Sequence, residues 1–234
     1  DDPDERMVEY LRHYWTLENG LTRQRDLATS IKKKVKNAAK SLAFLRGAKE
    51  AVADYAAIFN PEHPKWKSYG ASTRADINTL TSIINIEQIV PLVFAVANRF
   101  GVKEARKAFR LFVVWSVRFI LGQSGRAGRL DKQYAELAHA VGEGRMTTAK
   151  ELRAYLEDKV PGDEAFSRSV ATAKVSKSVL ARYYLMEFER ARSGGSGELE
   201  PSKDVSKVNL EHVLPQAFTK DLGMSKPEFD DLIT

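Results

Sequence analysis

The chain has 234 residues, of which 43% are hydrophobic, so it is long enough to bury a sizeable core. It contains no cysteine, which excludes disulfide frameworks and cysteine-based metal sites. The net charge of +6 permits contact with nucleic acid but is weak evidence for it alone. The acidic start "DDPDERMVEYL" does not resemble a signal peptide, and a start at Asp1 suggests a piece of a longer protein.

Apolar spacing predicts helices through the first half of the chain. The first covers Glu5 to Trp15, and a long helix from Gln24 to Phe59 follows the Asn19-Gly20 break. In the long helix, apolar residues recur at Leu42, Leu45, Val52, Tyr55, Ala56 and Phe59. "HPKWKSYG" is expected to be a loop or short helical turn, and Thr73 to Ile84 another helix.

The middle of the chain has the strongest helical signals. The segment "IEQIVPLVFAVANRFG" places its apolar residues on one helical face, with Pro91 in the first turn or at a kink. Val102 to Leu121 is predicted to be the most buried helix, apolar nearly all round in its second half. Both segments carry polar residues, so neither is expected to span a membrane. A glycine-rich break at 122–128 precedes a short amphipathic helix from Leu130 to Val141.

Capping signals predict the helices that follow. Thr148 and Glu151 form a capping box, and Pro161-Gly162 ends that helix. Asp163 is expected to cap the next short helix, and a last helix from about Ser176 to Arg192 is expected to bury Val179, Leu180, Tyr183 and Met186. We therefore predict an all-α, multi-helix body over 1–192, a linker over 193–206, and a different segment over 207–234.

That last segment contains the most informative stretch, "VNLEHVLPQAF" at 208–218. Val208 and Leu210 have the spacing of a β-strand that leads to Glu211 and His212. Where such a strand ends and the chain bends, both side chains can reach one site. A carboxylate suits Mg²⁺ or Mn²⁺, and an imidazole is the natural base for activating water at neutral pH. A base plus one metal is what phosphodiester hydrolysis requires. The alternative is that the Glu-His pair marks only the end of a strand.

The stretch "NLEHVLPQAF" resembles the first motif of HNH (ββα-metal) nucleases, in which an acidic residue and a histidine precede an apolar pair and a proline. The resemblance implies that His212 is the general base and Glu211 lies near the metal, with Glu in place of the commoner Asp. It also implies that 207–234 is the first part of an HNH domain, beginning with a strand. No hairpin asparagine or further helix residue of that motif follows His212, so this chain alone is expected to be inactive.

Other segments resemble the helical region of GmrSD-type, modification-dependent restriction proteins. These are "VEYLRHYWTLENGLTRQRDLATSIKKKV", "WSVRFILG", "VPGDEAF" and "EPSKDVSKVNLEHVLPQ". The resemblance implies a cytoplasmic DNA endonuclease that restricts foreign or modified DNA in antiviral defence. It also implies a nucleotide-binding domain before the helical region. Partners would be DNA and either that domain or a second copy of the chain, with no membrane.

Basic residues suggest an alternative function. If the helix is continuous, Lys33, Lys36 and Lys40 share one face, with Lys32 beside it, and Arg126 and Arg129 are assigned to the glycine-rich break. These residues are either phosphate contacts or solvated surface charges. On the first interpretation, the chain is an all-helical module that binds DNA or couples domains, without nuclease activity of its own. Arg118, on an apolar helix, is expected to pair with Asp76, Glu87 or Asp163.

Overall fold

The computed structural model describes residues 2–122, 128–194 and 217–233, and α-helices dominate all three ranges, with no strand among the described residues. The chain divides into two compact units, 1–174 and 175–234. The first unit contains α1 (Pro3–Asn19), α2 (Gln24–Lys34), α3 (Ala38–Ile58), α4 (Gly70–Asn78), α5 (Val90–Arg99), α6 (Val102–Gly122), α7 (Gly128–Gly142), α8 (Ala149–Leu156) and α9 (Asp163–Ala171). The second contains α10 (Ser178–Arg192) and α11 (Lys226–Ile233). The all-α prediction is confirmed for the described body.

Helix α5 forms the centre of the first unit. It packs against α1, α3, α6 and α7, and every residue from Val90 to Ala97 is buried. A helix surrounded on all sides must be apolar on all sides. The prediction of a single apolar face for this segment is therefore too narrow. Pro91 lies in the first turn, as expected, where its missing N–H breaks no helical hydrogen bond.

Helix α6 is less buried than its sequence predicts. Its inner side buries Ala105, Phe109, Phe112, Trp115 and Phe119, but Val102 and Val114 are each more than one third exposed. The helix is amphipathic rather than surrounded, because α4, α5, α8 and α9 cover only part of its circumference. Among the described residues, no helix is long and apolar enough to cross a membrane.

The prediction of one long helix from Gln24 to Phe59 is wrong, because the structure has two helices in this range. Helix α2 ends before Val35, and α3 begins after Asn37. The Asn37 side chain accepts a hydrogen bond from the Lys40 backbone N–H at 2.9 Å, which satisfies one of the free donors at the start of α3. The single helix predicted over Thr73 to Ile84 is also divided, because the α-helix α4 ends at Asn78 and a π-helical turn follows at Thr79–Ile84.

The capping box at the start of α8 is confirmed. The Glu151 backbone N–H donates to Thr148 Oγ1 at 3.3 Å, and Glu151 Oε2 accepts from the Thr148 N–H at 2.9 Å. The predicted cap of α9 is wrong. Gly162 is the N-cap residue, and Asp163 is the first helical residue, where its carboxylate pairs with Arg118. Asp163 therefore lies inside the helix and not at its N-cap.

A close approach joins α1 to α7. A Cβ atom on Gly142 would lie 2.0 Å from the Leu17 carbonyl oxygen, so only glycine fits there. The same carbonyl accepts a hydrogen bond from His139 Nδ1 at 3.1 Å. The predicted apolar side of α7 is confirmed, because Tyr134, Leu137, Ala138 and Val141 are all buried.

The second unit includes α10, although the sequence predicts that this helix belongs to a body over 1–192. Its buried residues are Leu180 and Tyr184, whereas Val179 is exposed and Tyr183 and Met186 are only partly buried. In α11, Phe229 is buried, and the centroid of its ring lies 5.6 Å from the ring centroid of Phe218. The predicted linker falls mostly outside the described residues, as does the predicted first strand of the HNH domain.

Candidate functional site

The two residues predicted for catalysis, Glu211 and His212, lie outside the described residues, and so does Arg126. Arg129 is the second residue of α7, but its side chain lies outside the part of the chain that the structure describes. Within 2–122, 128–194 and 217–233, no three His, Asp or Glu side chains form a group that suits a metal ion. The predicted Mg²⁺ or Mn²⁺ site therefore depends on Glu211 and remains a prediction.

The predicted lysines lie around the junction of α2 and α3. Lys32 and Lys33 are in the last turn of α2, Lys36 precedes α3, and Lys40 is in its first turn. All four side chains are exposed. They do not share a face of one helix, because the Asn37 cap separates the two helices. They remain close in sequence, and Lys34 is anchored beside them by a 2.6 Å hydrogen bond to Asn19 Oδ1.

Arg118 joins α6 to the start of α9, and this confirms the predicted ion pair. Its Nη1 donates to the Pro161 carbonyl oxygen at 2.9 Å, and its Nη2 donates to the Asp163 carboxylate. The guanidinium also lies 5.0 Å from the centre of the Phe166 ring. The Arg118 side chain is about three quarters buried, and its guanidinium has three partners within residues 161–166. The segments "WSVRFILG" and "VPGDEAF" meet at this contact.

A buried polar cluster on α1 and α3 centres on His13. Its Nε2 lies 3.0 Å from Arg12 Nη2, and its Nδ1 lies 3.0 Å from the Tyr55 hydroxyl. An arginine can only donate, so Nε2 accepts from Arg12. Nδ1 must then carry the proton and donate to the Tyr55 oxygen. Both ring nitrogens are occupied, so this imidazole has no free site for a metal or a substrate.

Burial lowers the pKa of His13 to about 3, and the adjacent Arg12 charge lowers it further in the same direction. His13 is therefore neutral at pH 7 and too weakly basic for general-base catalysis. Histidine spacing in the sequence does not single out His13. The signal that identifies it as buried is the aromatic run around it, since Tyr10, Tyr14 and Trp15 cover more than one face of α1.

A cavity of about 1010 Å³ opens between the starts of α1 and α2 and the second half of α3. Its walls combine three carboxylates, two guanidinium groups and an apolar side, and the lining includes Asp2, Glu5, Arg6, Met7, Glu9, Tyr10, Arg12, Val52, Tyr55, Ala56 and Phe59. Burial raises the pKa of Tyr10 to about 12 and also raises that of Tyr55, so both phenols stay protonated at neutral pH. The cavity therefore presents no activated nucleophile and no cluster of metal ligands.

Comparison with family models, with curated proteins and with solved structures found no match to this chain.

Proposed function

We propose that this chain belongs to a metal-dependent HNH DNA endonuclease that restricts foreign or modified DNA in the cytoplasm. The observation that carries the proposal is the stretch "VNLEHVLPQAF", in which Glu211 and His212 occupy the acidic and histidine positions of the HNH motif. The contact of Arg118 with Pro161 and Asp163 supports it, because it joins two of the segments in which the chain resembles restriction proteins.

The chemistry of these two side chains suits phosphodiester hydrolysis. His212 would take the proton from the attacking water, a role for which an imidazole has a suitable pKa near neutral pH. Glu211 would be one ligand of Mg²⁺ or Mn²⁺, since carboxylate oxygens suit these hard cations. The metal ion, when bound, supplies positive charge that stabilises the phosphate and the leaving oxygen. Glu211 would supply only one ligand, so other groups must complete the coordination.

Replacing His212 with alanine in the full-length protein is expected to reduce cleavage of plasmid or modified phage DNA by roughly 10²–10⁴-fold, the usual contribution of a general base. Cleavage is followed on gels in Mg²⁺ or Mn²⁺, and removal of the metal with EDTA should abolish it. His63→Asn is the matched control, because His63 lies outside the motif and asparagine can still accept the Lys65 N–H bond. Equal cleavage by wild type and His212→Ala would contradict the role assigned to His212.

A second candidate is a helical DNA-binding module, and the exposed lysines at the junction of α2 and α3 favour it. Lys32, Lys33, Lys36 and Lys40 lie within nine residues, and within the described part of the chain none of the four forms an ion pair. Such a surface would contact phosphates without reading base sequence. This function is compatible with the first, because a nuclease also needs contacts that hold the DNA backbone.

The variant Lys33→Glu/Lys36→Glu/Lys40→Glu is expected to weaken DNA binding at low salt. The slope of log affinity against log salt should fall by roughly 2–3, because each lost phosphate contact removes about 0.9 from it. Fluorescence anisotropy with a labelled duplex measures both quantities. The control Lys67→Glu/Lys103→Glu/Lys150→Glu makes the same charge change at exposed sites elsewhere. If both triple variants lose affinity equally, net charge explains the binding and the junction is not a DNA site.

A further inference from the structure

Helix α3 carries an apolar stripe on its exposed side. The stripe consists of Ala38, Leu42, Leu45, Lys49, Val52, Ala56 and Phe59, at alternating spacings of four and three residues from the first turn to the C-cap. Every one of these residues is exposed, and Leu45 and Phe59 are 61% and 50% exposed. This is the 3.5-residue repeat with which two helices pair side by side.

The stripe is distinct from the face that α3 uses within its own unit. That inner face buries Ala48, Ala51, Tyr55 and Ile58 against α1, α5 and the turn at Pro64–Tyr69. The stripe is thus a second apolar face of α3, and its second half, Val52, Ala56 and Phe59, also borders the cavity beside α1. Large apolar side chains at regular spacing on an exposed helix mark an interaction surface, whereas scattered ones do not.

We propose that the stripe binds the same stripe of a second copy of this chain, with the two α3 helices antiparallel. Charge decides the orientation. The basic residues Lys36, Lys40 and Arg46 lie toward the N-terminal end of α3. At the other end, the cavity beside Val52, Ala56 and Phe59 is lined by three carboxylates and two guanidinium groups, which leaves that end with a net charge of −1 (three negative and two positive). An antiparallel pair brings each basic end against the acidic end of the second copy, whereas a parallel pair would place like charges together.

The side-chain sizes fit the same alignment. In an antiparallel register the stripe places Leu42 opposite Phe59, Leu45 opposite Ala56, and Lys49 opposite Val52 of the second copy. The larger Leu45 thus faces the smaller Ala56. The two Lys49 ammonium groups are also kept apart, and their chains can extend toward solvent. The surface is self-complementary, as a two-fold symmetric dimer requires.

The full chain is expected to form a dimer, with a mass that approaches twice 26.3 kDa as concentration rises in sedimentation equilibrium. Leu42→Glu/Leu45→Glu should weaken the dimer by roughly a hundredfold or more, because it places two carboxylates in the apolar seam. Leu21→Glu is the matched control, since Leu21 is also exposed but lies outside α3. Circular dichroism checks that each variant keeps its helix content. A monomer at all concentrations, or a dimer that tolerates Leu42→Glu/Leu45→Glu, would overturn the proposal and leave the stripe to a different partner.

Disulfide cross-linking tests the orientation, and the absence of cysteine from the chain makes each introduced cysteine unique. A mixture of Leu42→Cys and Phe59→Cys chains should cross-link under mild oxidation to a product that contains one chain of each. Efficient cross-linking of Leu42→Cys chains with one another would overturn the antiparallel arrangement.

Discussion

Replacing Trp66 with alanine is expected to lower the free energy of unfolding of the first unit by about 3–5 kcal/mol, the usual cost of removing a large buried aromatic side chain. Trp66 is fully buried. Its indole Nε1 donates to the Ala57 carbonyl oxygen at 2.8 Å. Its ring packs edge-on against the rings of Tyr69 and Phe109, with ring centroids 5.1 Å and 5.7 Å away. The substitution leaves a cavity between α3, α6 and the turn at Pro64–Tyr69, and it also removes the donor from a buried carbonyl.

Urea unfolding followed by tryptophan fluorescence measures this effect, because Trp15 and Trp115 remain in the same unit as reporters. Trp66→Phe should cost less than Trp66→Ala, since it keeps a ring and loses mainly the hydrogen bond, which contributes roughly 1–3 kcal/mol when a buried partner is left unpaired. Met7→Ala, at an exposed site on α1, should change stability by no more than about 0.5 kcal/mol. A Trp66→Ala variant as stable as Met7→Ala would show that this residue does not anchor the unit.

Acid is expected to destabilise the first unit through His13 in the range from pH 6.5 to about 3. The pKa of this imidazole falls from its ordinary 6.5 to about 3 in the folded chain, because burial penalises the charged form. Below pH 6.5 the unfolded chain binds a proton that the folded chain does not, so stability falls as pH falls. The loss is about 1.4 kcal/mol per pH unit, which gives roughly 2–3 kcal/mol between pH 6.5 and 4.5.

The difference between wild type and His13→Gln isolates this contribution, because glutamine has no titratable proton but can still accept from Arg12 and donate to Tyr55. The variant should be less stable at pH 7 and should show a shallower loss of stability toward pH 4.5. Tyr55→Phe should be less stable at both pH values yet retain the wild-type pH dependence, since it leaves the imidazole in place. Parallel pH profiles for wild type and His13→Gln would contradict the assigned state of His13.

How far each candidate site could be predicted from the sequence depends on how far apart its residues lie along the chain. The sequence narrowed the partner of Arg118 to three acidic residues, because a guanidinium on an apolar helix needs a carboxylate. Only the packing of α9 against α6 selected Asp163 among them. The His13 cluster was not predictable, since it joins residues on α1 and α3 that are 42 positions apart. The HNH assignment of Glu211 and His212 rests on sequence alone and stays a prediction.

By itself, the sequence determined the helical class and several local features of the helices, because these depend on local chemistry. The capping box at Thr148, the proline in the first turn of α5 and the apolar side of α7 are all readable from neighbouring residues. Only the tertiary structure decided where each apolar face points. The repeat on α3 predicts which residues share a face, but the neighbours of the helix determine that Tyr55 lies inside and Leu42, Leu45, Val52 and Phe59 outside. Periodicity describes one helix, whereas burial depends on all the helices that pack around it.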